Sequence, residues 1–253
     1  MYNLYEGDCL EIMQSIKDKS VDLILCDLPY GTTACKWDNI IPLEPLWNEY
    51  NRIIKDHGAI VLSSLPPFTA DLIQSNREMF RYEWIWQKTC PVGFLNSHKM
   101  PLRAHEVLLV FYKKLPTYNP QMWMSKPYHR KRSGNQRKHT VYSPYKSSET
   151  KSNGERFPLD VITFSRDRKT YHPTQKPVKL FEYIIKTYTN PGDLVLDNCA
   201  GSGTTGVACS NLGRDCILIE QDPEYCDLIR ERMGNSKEEI KSTTLENFNC
   251  KGC

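Results

Sequence analysis

Apolar residues in this chain fall into short runs separated by amphipathic stretches, and the two kinds of segment alternate. Seven runs read as strands, at residues 2–5, 21–26, 59–62, 82–86, 107–112, 194–196 and 216–219. Each is short and bounded by turn formers. Helical spacing appears between most of them. Leu10, Met13 and Ile16 follow Asp8, a side chain suited to cap a helix N-terminus. Leu46, Tyr50, Ile53 and Ile54 form a second stripe, with Gly58 as the predicted stop. Phe68, Leu72 and Ile73 form a third. Leu180, Phe181, Ile184, Ile185 and Tyr188 form a fourth, with Pro177 in its first turn. Asp222-Pro223 opens a last helix that runs through Cys226 and Ile229 to Gly234. Strands alternating with helices predict an α/β fold with a parallel, doubly wound sheet. Runs 82–86 and 107–112 have no helical pattern between them, so they are predicted to pair antiparallel at a sheet edge.

Residues 114–170 break the alternation. They are rich in Lys, Arg, Ser, Pro and Tyr, poor in aliphatics, and too long for an ordinary connection. The net charge of +3 decides little, but its distribution does. Residues 113–160 hold eleven Lys/Arg against three Asp/Glu, which leaves the rest of the chain acidic. Tyr118, Trp123, Tyr128, Tyr142 and Tyr145 interleave with these cations, a composition suited to phosphate contact and base stacking. Lys126, Arg130, Lys131, Arg132, Arg137 and Lys138 are the candidate nucleic-acid contacts; a solvated loop is the plain alternative. Ten cysteines without a leader segment point to reduced thiols and a cytoplasmic protein. Cys250-x-x-Cys253 lacks a second ligand pair, so no metal site is predicted. No apolar run approaches the ~18 residues of a membrane span.

Two stretches carry chemistry. "DNCAGSGTTG", residues 197–206, has the spacing Gly201-x-Gly203-x-x-Gly206 of a dinucleotide loop, with Glu220 where a ribose-binding carboxylate belongs. The loop comes late, and a dehydrogenase needs a second mononucleotide-binding half beyond it. "VDLILCDLPYG", residues 21–31, ends an apolar strand on Asp27-Leu28-Pro29-Tyr30. Ligands of open α/β sheets bind at the carboxyl ends of the strands, so both motifs face one crevice. There a carboxylate and a carbonyl can accept both hydrogens of an exocyclic amine, a tyrosine can stack on the attached heterocycle, and the proline fixes the turn.

Together the motifs resemble those of the S-adenosylmethionine-dependent amino DNA methyltransferases, whose catalytic tetrapeptide is (Asp/Asn/Ser)-Pro-Pro-Tyr and whose cofactor loop is similar to Asp-x-Phe-x-Gly-x-Gly. Here the catalytic motif precedes the loop, which resembles the circularly permuted beta class and accounts for the late glycines. The resemblance implies a circularly permuted Rossmann-like fold, with a mostly parallel seven-stranded sheet, an antiparallel edge and a basic insertion. It divides the chain into a catalytic half (1–113), a target-recognition insertion (114–170), a cofactor-binding half (171–235) and a tail (236–253). It extends over most of the chain outside the insertion, including "NLYEGDCLEIM" (3–13), "HPTQKPVKLFEYII" (172–185) and "ILIEQD" (217–222). Trp86-x-Lys88 and His105-Glu106 share the family's look without an assigned chemistry.

Carried over residue by residue, the resemblance implies catalysis by Asp27, Leu28, Pro29 and Tyr30. It implies cofactor contacts from Asp8, Cys9, Asp27, Thr174, Lys176, Asp197, Cys199, Ala200, Gly201, Ser202, Gly203, Thr204, Thr205, Glu220 and Gln221. Asp8 would meet the adenine, Glu220 the ribose hydroxyls, and Thr174 and Lys176 the methionine end; Asp222 reads as a helix cap. Leu28 replaces the first proline, whose carbonyl alone is needed. Asn198-Cys199 stands where Pro-Phe is common, which implies looser packing there. The expected reaction is methyl transfer to an exocyclic amine of flipped double-stranded DNA. The Asp form goes mostly with adenine N6 and the Ser form with cytosine N4, so adenine is expected, with cytosine N4 or an RNA base as alternatives. A homodimer and a cognate restriction endonuclease are the further partners the family suggests. An NAD-dependent oxidoreductase would leave "DLPYG" unexplained, and a glutamine-methylating protein methyltransferase has the opposite motif order. A dead DNA-binding module would have lost residues that are present.

Overall fold

In a computed structural model, residues 1–31, 39–134, 146–171 and 174–234 are described. Eight strands form one sheet: β1 (Tyr2–Glu6), β2 (Val21–Cys26), β3 (Ile54–Ser64), β4 (Phe80–Val92), β5 (Arg103–Phe111), β10 (Val161–Phe164), β11 (Leu194–Asp197) and β12 (Asp215–Glu220). Their order is β1-β12-β11-β2-β3-β5-β4-β10. All neighbours are parallel except β5, which runs antiparallel to both β3 and β4.

The seven expected strands are all present, and an eighth, β10, joins them. It pairs parallel with β4, Val161 opposite Ile85 and Phe164 opposite Lys88. Its four residues, Val161-Ile162-Thr163-Phe164, alternate between exposed and covered positions and make a largely apolar run of only four residues at the end of the polar segment 114–170. Two expectations are corrected. The antiparallel strand β5 lies inside the sheet rather than at its edge, because β3 and β4 pair on its two sides and β10 follows β4. Gly58 does not stop a helix but lies within β3. Its position between Asp22 and Ile54 leaves no room for a side chain: a Cβ there would meet the Asp22 carbonyl oxygen at 2.8 Å. The β2–β3 register slips at this point, between Val21 and Leu23.

Among the described residues, six α-helices cover the two faces. Alternate residues of β2 point to opposite sides, as a pleat requires. Ile24 and Cys26 pack with Met13, Leu46, Tyr50, Ile53 and Phe68 from α1 (Cys9–Met13), α2 (Leu43–Ile53) and α3 (Phe68–Ser75). Leu23 and Leu25 pack with Leu180, Ile184, Cys209 and Ile229 from α4 (Val178–Tyr188), α5 (Thr204–Leu212) and α6 (Pro223–Met233). Burial on both faces explains why β2 reads as a continuous apolar run. Asp8 caps α1, accepting from the Leu10 and Glu11 amides at 2.8 and 3.3 Å. Asp222 caps α6 through the Glu224 amide at 2.9 Å.

Residues Pro120–Leu159 form a second compact unit, narrower than 114–170 because β10 and its approach belong to the main sheet. The unit contains two ribbons: β6 (Trp123–Met124) with β9 (Glu155–Arg156), and β7 (Tyr128–Arg132) with β8 (Ser148–Ser152). Among the described residues no helix is long and apolar enough to cross a membrane.

Candidate active site

The carboxyl ends of β2, β11 and β12 open onto one crevice of about 880 Å³, within the larger unit. The tetrapeptide Asp27-Leu28-Pro29-Tyr30 occupies one end. Asp27 is the first residue after β2, and the Tyr30 hydroxyl donates to its Oδ1 at 2.6 Å. The Tyr30 ring lies 5.6 Å from Phe68 at an interplanar angle of 32°. Burial, then the Asp27 carboxylate, pushes the Tyr30 phenol well up, so it remains a neutral donor.

A line of alternating charges meets Asp27 from behind. Lys176, two residues before α4, donates from Nζ to Asp27 Oδ2 at 2.5 Å and lies 3.3 Å from Glu106 Oε2. Its ammonium also stands 5.6 Å from the centre of the Tyr30 ring. Glu106 on β5 is paired in turn with Lys88 on β4. Lys176, Lys88 and Glu106 are all buried. Burial lowers the Lys176 pKa, but the carboxylates of Asp27 and Glu106 outweigh it and the net shift is upward. Burial likewise raises Glu106, and the two lysines outweigh it, so its carboxyl is held below the usual range. Lys88 is shifted down by burial that its single partner does not offset. Glu106 Oε2 makes no hydrogen bond of good geometry although an ammonium is near, so its contact with Lys176 is electrostatic.

The other end is the glycine loop. Cys199 N donates to Asp197 Oδ1 at 3.2 Å, and the Thr205 hydroxyl binds the other oxygen. Asp197 is buried, which pushes its carboxyl up to about 6. Asn198 Oδ1 accepts from the Tyr50 hydroxyl at 2.6 Å, which gives α2 a polar anchor at this loop. Glu220 at the end of β12 accepts from Gly201 N at 2.7 Å and from the Gln221 and Asp222 amides at 2.9 Å. Gln175 accepts from the Ser202 hydroxyl at 3.2 Å, which joins the segment before α4 to the loop.

The crevice gathers Asp8, Cys9, Asp27, Leu28, Pro29, Tyr30, Thr174, Lys176, Asp197, Cys199, Ala200, Gly201, Ser202, Thr204, Glu220 and Gln221 along its wall. Gly203 and Thr205 do not line it. Gly203, at φ +77°, packs against α6, where a Cβ would meet Ile229 at 2.9 Å. Thr205 is engaged by Asp197. Gly201, at φ +50°, has open space where a side chain would stand. Gly201 thus leaves open space on the crevice wall, whereas Gly203 allows close packing against α6. Lys88, Glu106, Trp86 and Arg166 also reach the crevice, beyond the residues expected to act there. Glu106 carried a signal, a charge at the start of the apolar run of β5, whereas Lys88 lies in the mixed polar and aromatic sequence of β4.

The donor set tests what the crevice holds. Asp8, Asp27, Asp197, Glu220 and Asp222 line it together with Lys88, Arg103, Arg166 and Lys176; the carboxylates suit ribose hydroxyls, an amino group and a sulfonium. The residues present fit S-adenosylmethionine.

In the second unit, Lys126, Arg130, Lys131 and Arg132 are exposed. The strand alternation puts Tyr128, Arg130 and Arg132 on one face of the β7–β8 ribbon. Lys131 falls on the other, opposite Glu149 with Nζ 3.8 Å from the carboxylate. Arg130 and Lys131 therefore lie on opposite faces of the ribbon. Arg137 and Lys138, like Cys250 and Cys253, lie outside the described residues.

The chain matches the DNA methylase family over residues 21–231 and belongs to it: it is an S-adenosylmethionine-dependent amino DNA methyltransferase. The DNA adenine methyltransferase YhdJ of Escherichia coli (strain K12) is 28% identical over 246 residues, covering 91% of this chain and 82% of that protein. The crystal structure of the M1.HpyAVI–SAM complex superimposes with a TM-score of 0.63 at 29% identity, covering 92% of this chain and all of that one. The cytosine-N4-specific PvuII DNA methyltransferase, at 17% identity, shares the fold with a TM-score of 0.67 over 96% of this chain and 90% of that one.

Proposed function

We propose that the protein transfers a methyl group from S-adenosylmethionine to the N6 amine of a specific adenine in double-stranded DNA. The observation that carries this reading is the pairing of Asp27 with Tyr30 and Lys176 at one end of a crevice whose other end presents Gly201, Glu220 and Asp8. Adenine is favoured by the Asp in the tetrapeptide and by the adenine activity in the name of YhdJ. Cytosine N4 is the second reading, because the same geometry would hold its exocyclic amine.

A base inside a duplex cannot reach a crevice of this kind, so it must leave the stack, at a cost of a few kcal/mol. Tyr30 then stacks on the flipped base, a contact worth about 1–3 kcal/mol. Asp27 accepts one amino hydrogen, since each carboxylate oxygen keeps a free lone pair beside its existing donor. The Leu28 carbonyl accepts the other. Lys176 and Glu106 hold the Asp27 carboxylate in one orientation. S-adenosylmethionine, when bound between Glu220, Gly201 and Asp8, supplies a methyl group activated by its sulfonium. The amine lone pair, turned out of the ring plane by these acceptors, would attack the methyl carbon in line as its bond to sulfur breaks; the thioether S-adenosylhomocysteine would leave with that electron pair, and the nitrogen would shed a proton to water. Proximity and orientation provide most of the acceleration. Burial pushes the Cys26 thiol up to about 12, and the route needs no thiolate.

Incubation with labelled S-adenosylmethionine and unmethylated genomic DNA, followed by nucleoside mass spectrometry, tests the reading. N6-methyladenine is expected. N4-methylcytosine would keep the mechanism and change the base; no transfer to DNA would end the proposal.

A further inference from the structure

The hairpin between β4 and β5 ends in a tip that the mechanism above does not use. Leu95 is 96% exposed, the most exposed large apolar side chain among the described residues, and Phe94 is 79% exposed. Met100 and Leu102 follow, also exposed. An apolar cluster of this kind on a solvent-facing surface marks a contact.

The tip is built rather than frayed. Gly93 takes φ +94°, and Phe94–Asn96 form a 3-10 turn. The Asn96 amide donates to the Gly93 carbonyl at 2.9 Å, and the Ser97 amide donates to Phe94 at 3.0 Å. The Lys99 and Met100 amides both donate to the Asn96 carbonyl, at 2.8 and 3.0 Å. These bonds hold Phe94 and Leu95 outward on a rigid support. The tip is also continuous with the site: Val92 and Arg103, paired across the base of the hairpin, both line the crevice. No acidic residue occurs between Lys88 and Glu106, whereas His98, Lys99 and Arg103 do. Apolar side chains flanked by cations at the mouth of a base-binding crevice match one occupant, stacked bases between two phosphate backbones.

We propose that Phe94 and Leu95 form a wedge that enters the duplex beside the target base and fills the space vacated when that base flips. Lys99 and Arg103 contact the flanking phosphates. The inference rests on the proposed methylation of duplex DNA and adds the element that opens the duplex.

The test uses the Phe94→Ala/Leu95→Ala double variant. Both side chains are exposed, so the fold and S-adenosylmethionine binding should match the wild type. Two duplexes carry the sequence the wild type methylates in genomic DNA, one fully paired and one with an abasic site opposite the target base, where unpairing is already paid for. On the paired duplex the variant should lose at least ~10-fold in kcat/KM and show a smaller 2-aminopurine fluorescence rise at the target position. On the abasic duplex most of the loss should disappear. Equal loss on both duplexes, no loss on either, or a change of oligomeric state in the variant would overturn the wedge while leaving the methylation reading intact. The last outcome would assign the tip to a contact between copies of the chain. A wild type that methylates no genomic DNA, and so yields no target sequence for the duplexes, would overturn the methylation reading, and the wedge with it.

Discussion

Lys176 Nζ lies 2.5 Å from Asp27 Oδ2, although 149 residues separate the two in the chain. The contact ties the segment before α4 to the end of β2 within the crevice. Glu106 and Lys88 continue the line of charge through β5 and β4. A buried ammonium between two carboxylates is tolerated because the charges alternate, and removing one member leaves its neighbours uncompensated.

Glu106→Gln places two buried ammonium groups next to each other without an anion between them. Loss of one partner of a buried ion pair typically costs about 3–5 kcal/mol. The variant should melt well below the wild type, and its kcat should fall more than its KM for S-adenosylmethionine because Lys176 loses its position behind Asp27. A kcat and melting temperature equal to wild type would show that Glu106 does not position Lys176.

The buried carboxyl of Asp197 gives the stability a pH dependence. Burial raises its pKa from 3.8 to about 6, and the bonds from Thr205 and Cys199 only partly offset this. A folded-state pKa above the unfolded value gives stability that is complete below about pH 4 and is lost as pH rises through about 6. A rise of this size corresponds to about 3 kcal/mol. Asp197→Asn keeps an acceptor for Thr205 and cannot ionise. Its stability relative to wild type, followed by denaturant unfolding from pH 4 to 8, should therefore rise across that window and level off above it. A difference independent of pH would contradict the assignment.

The ribbon of the second unit makes unequal claims on its basic residues. Arg130 and Arg132 share a face, while Lys131 is turned towards Glu149. Arg130→Ala/Arg132→Ala should lower the slope of log K against log salt for DNA binding by about 2, following the ~0.9 per phosphate contact of duplex DNA. Lys131→Ala should change it less. An unchanged slope in the double variant would move the DNA-binding surface away from this ribbon.

The two glycines of the loop separate by the same reasoning. Gly203→Ala should destabilise the fold by about 1–3 kcal/mol through strain at positive φ and the Ile229 contact. Gly201→Ala would point its methyl into open crevice, so it should weaken S-adenosylmethionine binding, read by calorimetry, more than Gly203→Ala does. The reverse order would exchange the two roles.

The strands of the main sheet were legible because both faces of β2, β3, β11 and β12 are covered, which writes them as continuous apolar runs. β10 was not, since its run Val161–Phe164 is four residues long and sits within the polar segment 114–170 that reads as an insertion. Gly58 read as a helix stop because a glycine after an amphipathic stripe commonly is one; the close approach of the Asp22 carbonyl that demands it exists only once β2 and β3 pair. In the site, Asp27, Tyr30 and the glycine loop could be found from spacing. The line from Lys88 through Glu106 to Lys176 could not, because its members come from β4, β5 and the segment before α4, and only the sheet order brings them together. The separate work of Gly203 and Thr205 was hidden for the same reason, since both depend on contacts made by the folded loop.

In the proposed mechanism Asp27, held by Tyr30 and Lys176, orients the amine for transfer. Single-turnover methylation of DNA by Asp27→Ala, measured beside S-adenosylmethionine binding by calorimetry, isolates that role. Transfer should be at least ~10³-fold slower, from lost orientation at the reacting centre, with cofactor affinity within a few-fold of wild type. Transfer at the wild-type rate would contradict the role assigned to Asp27.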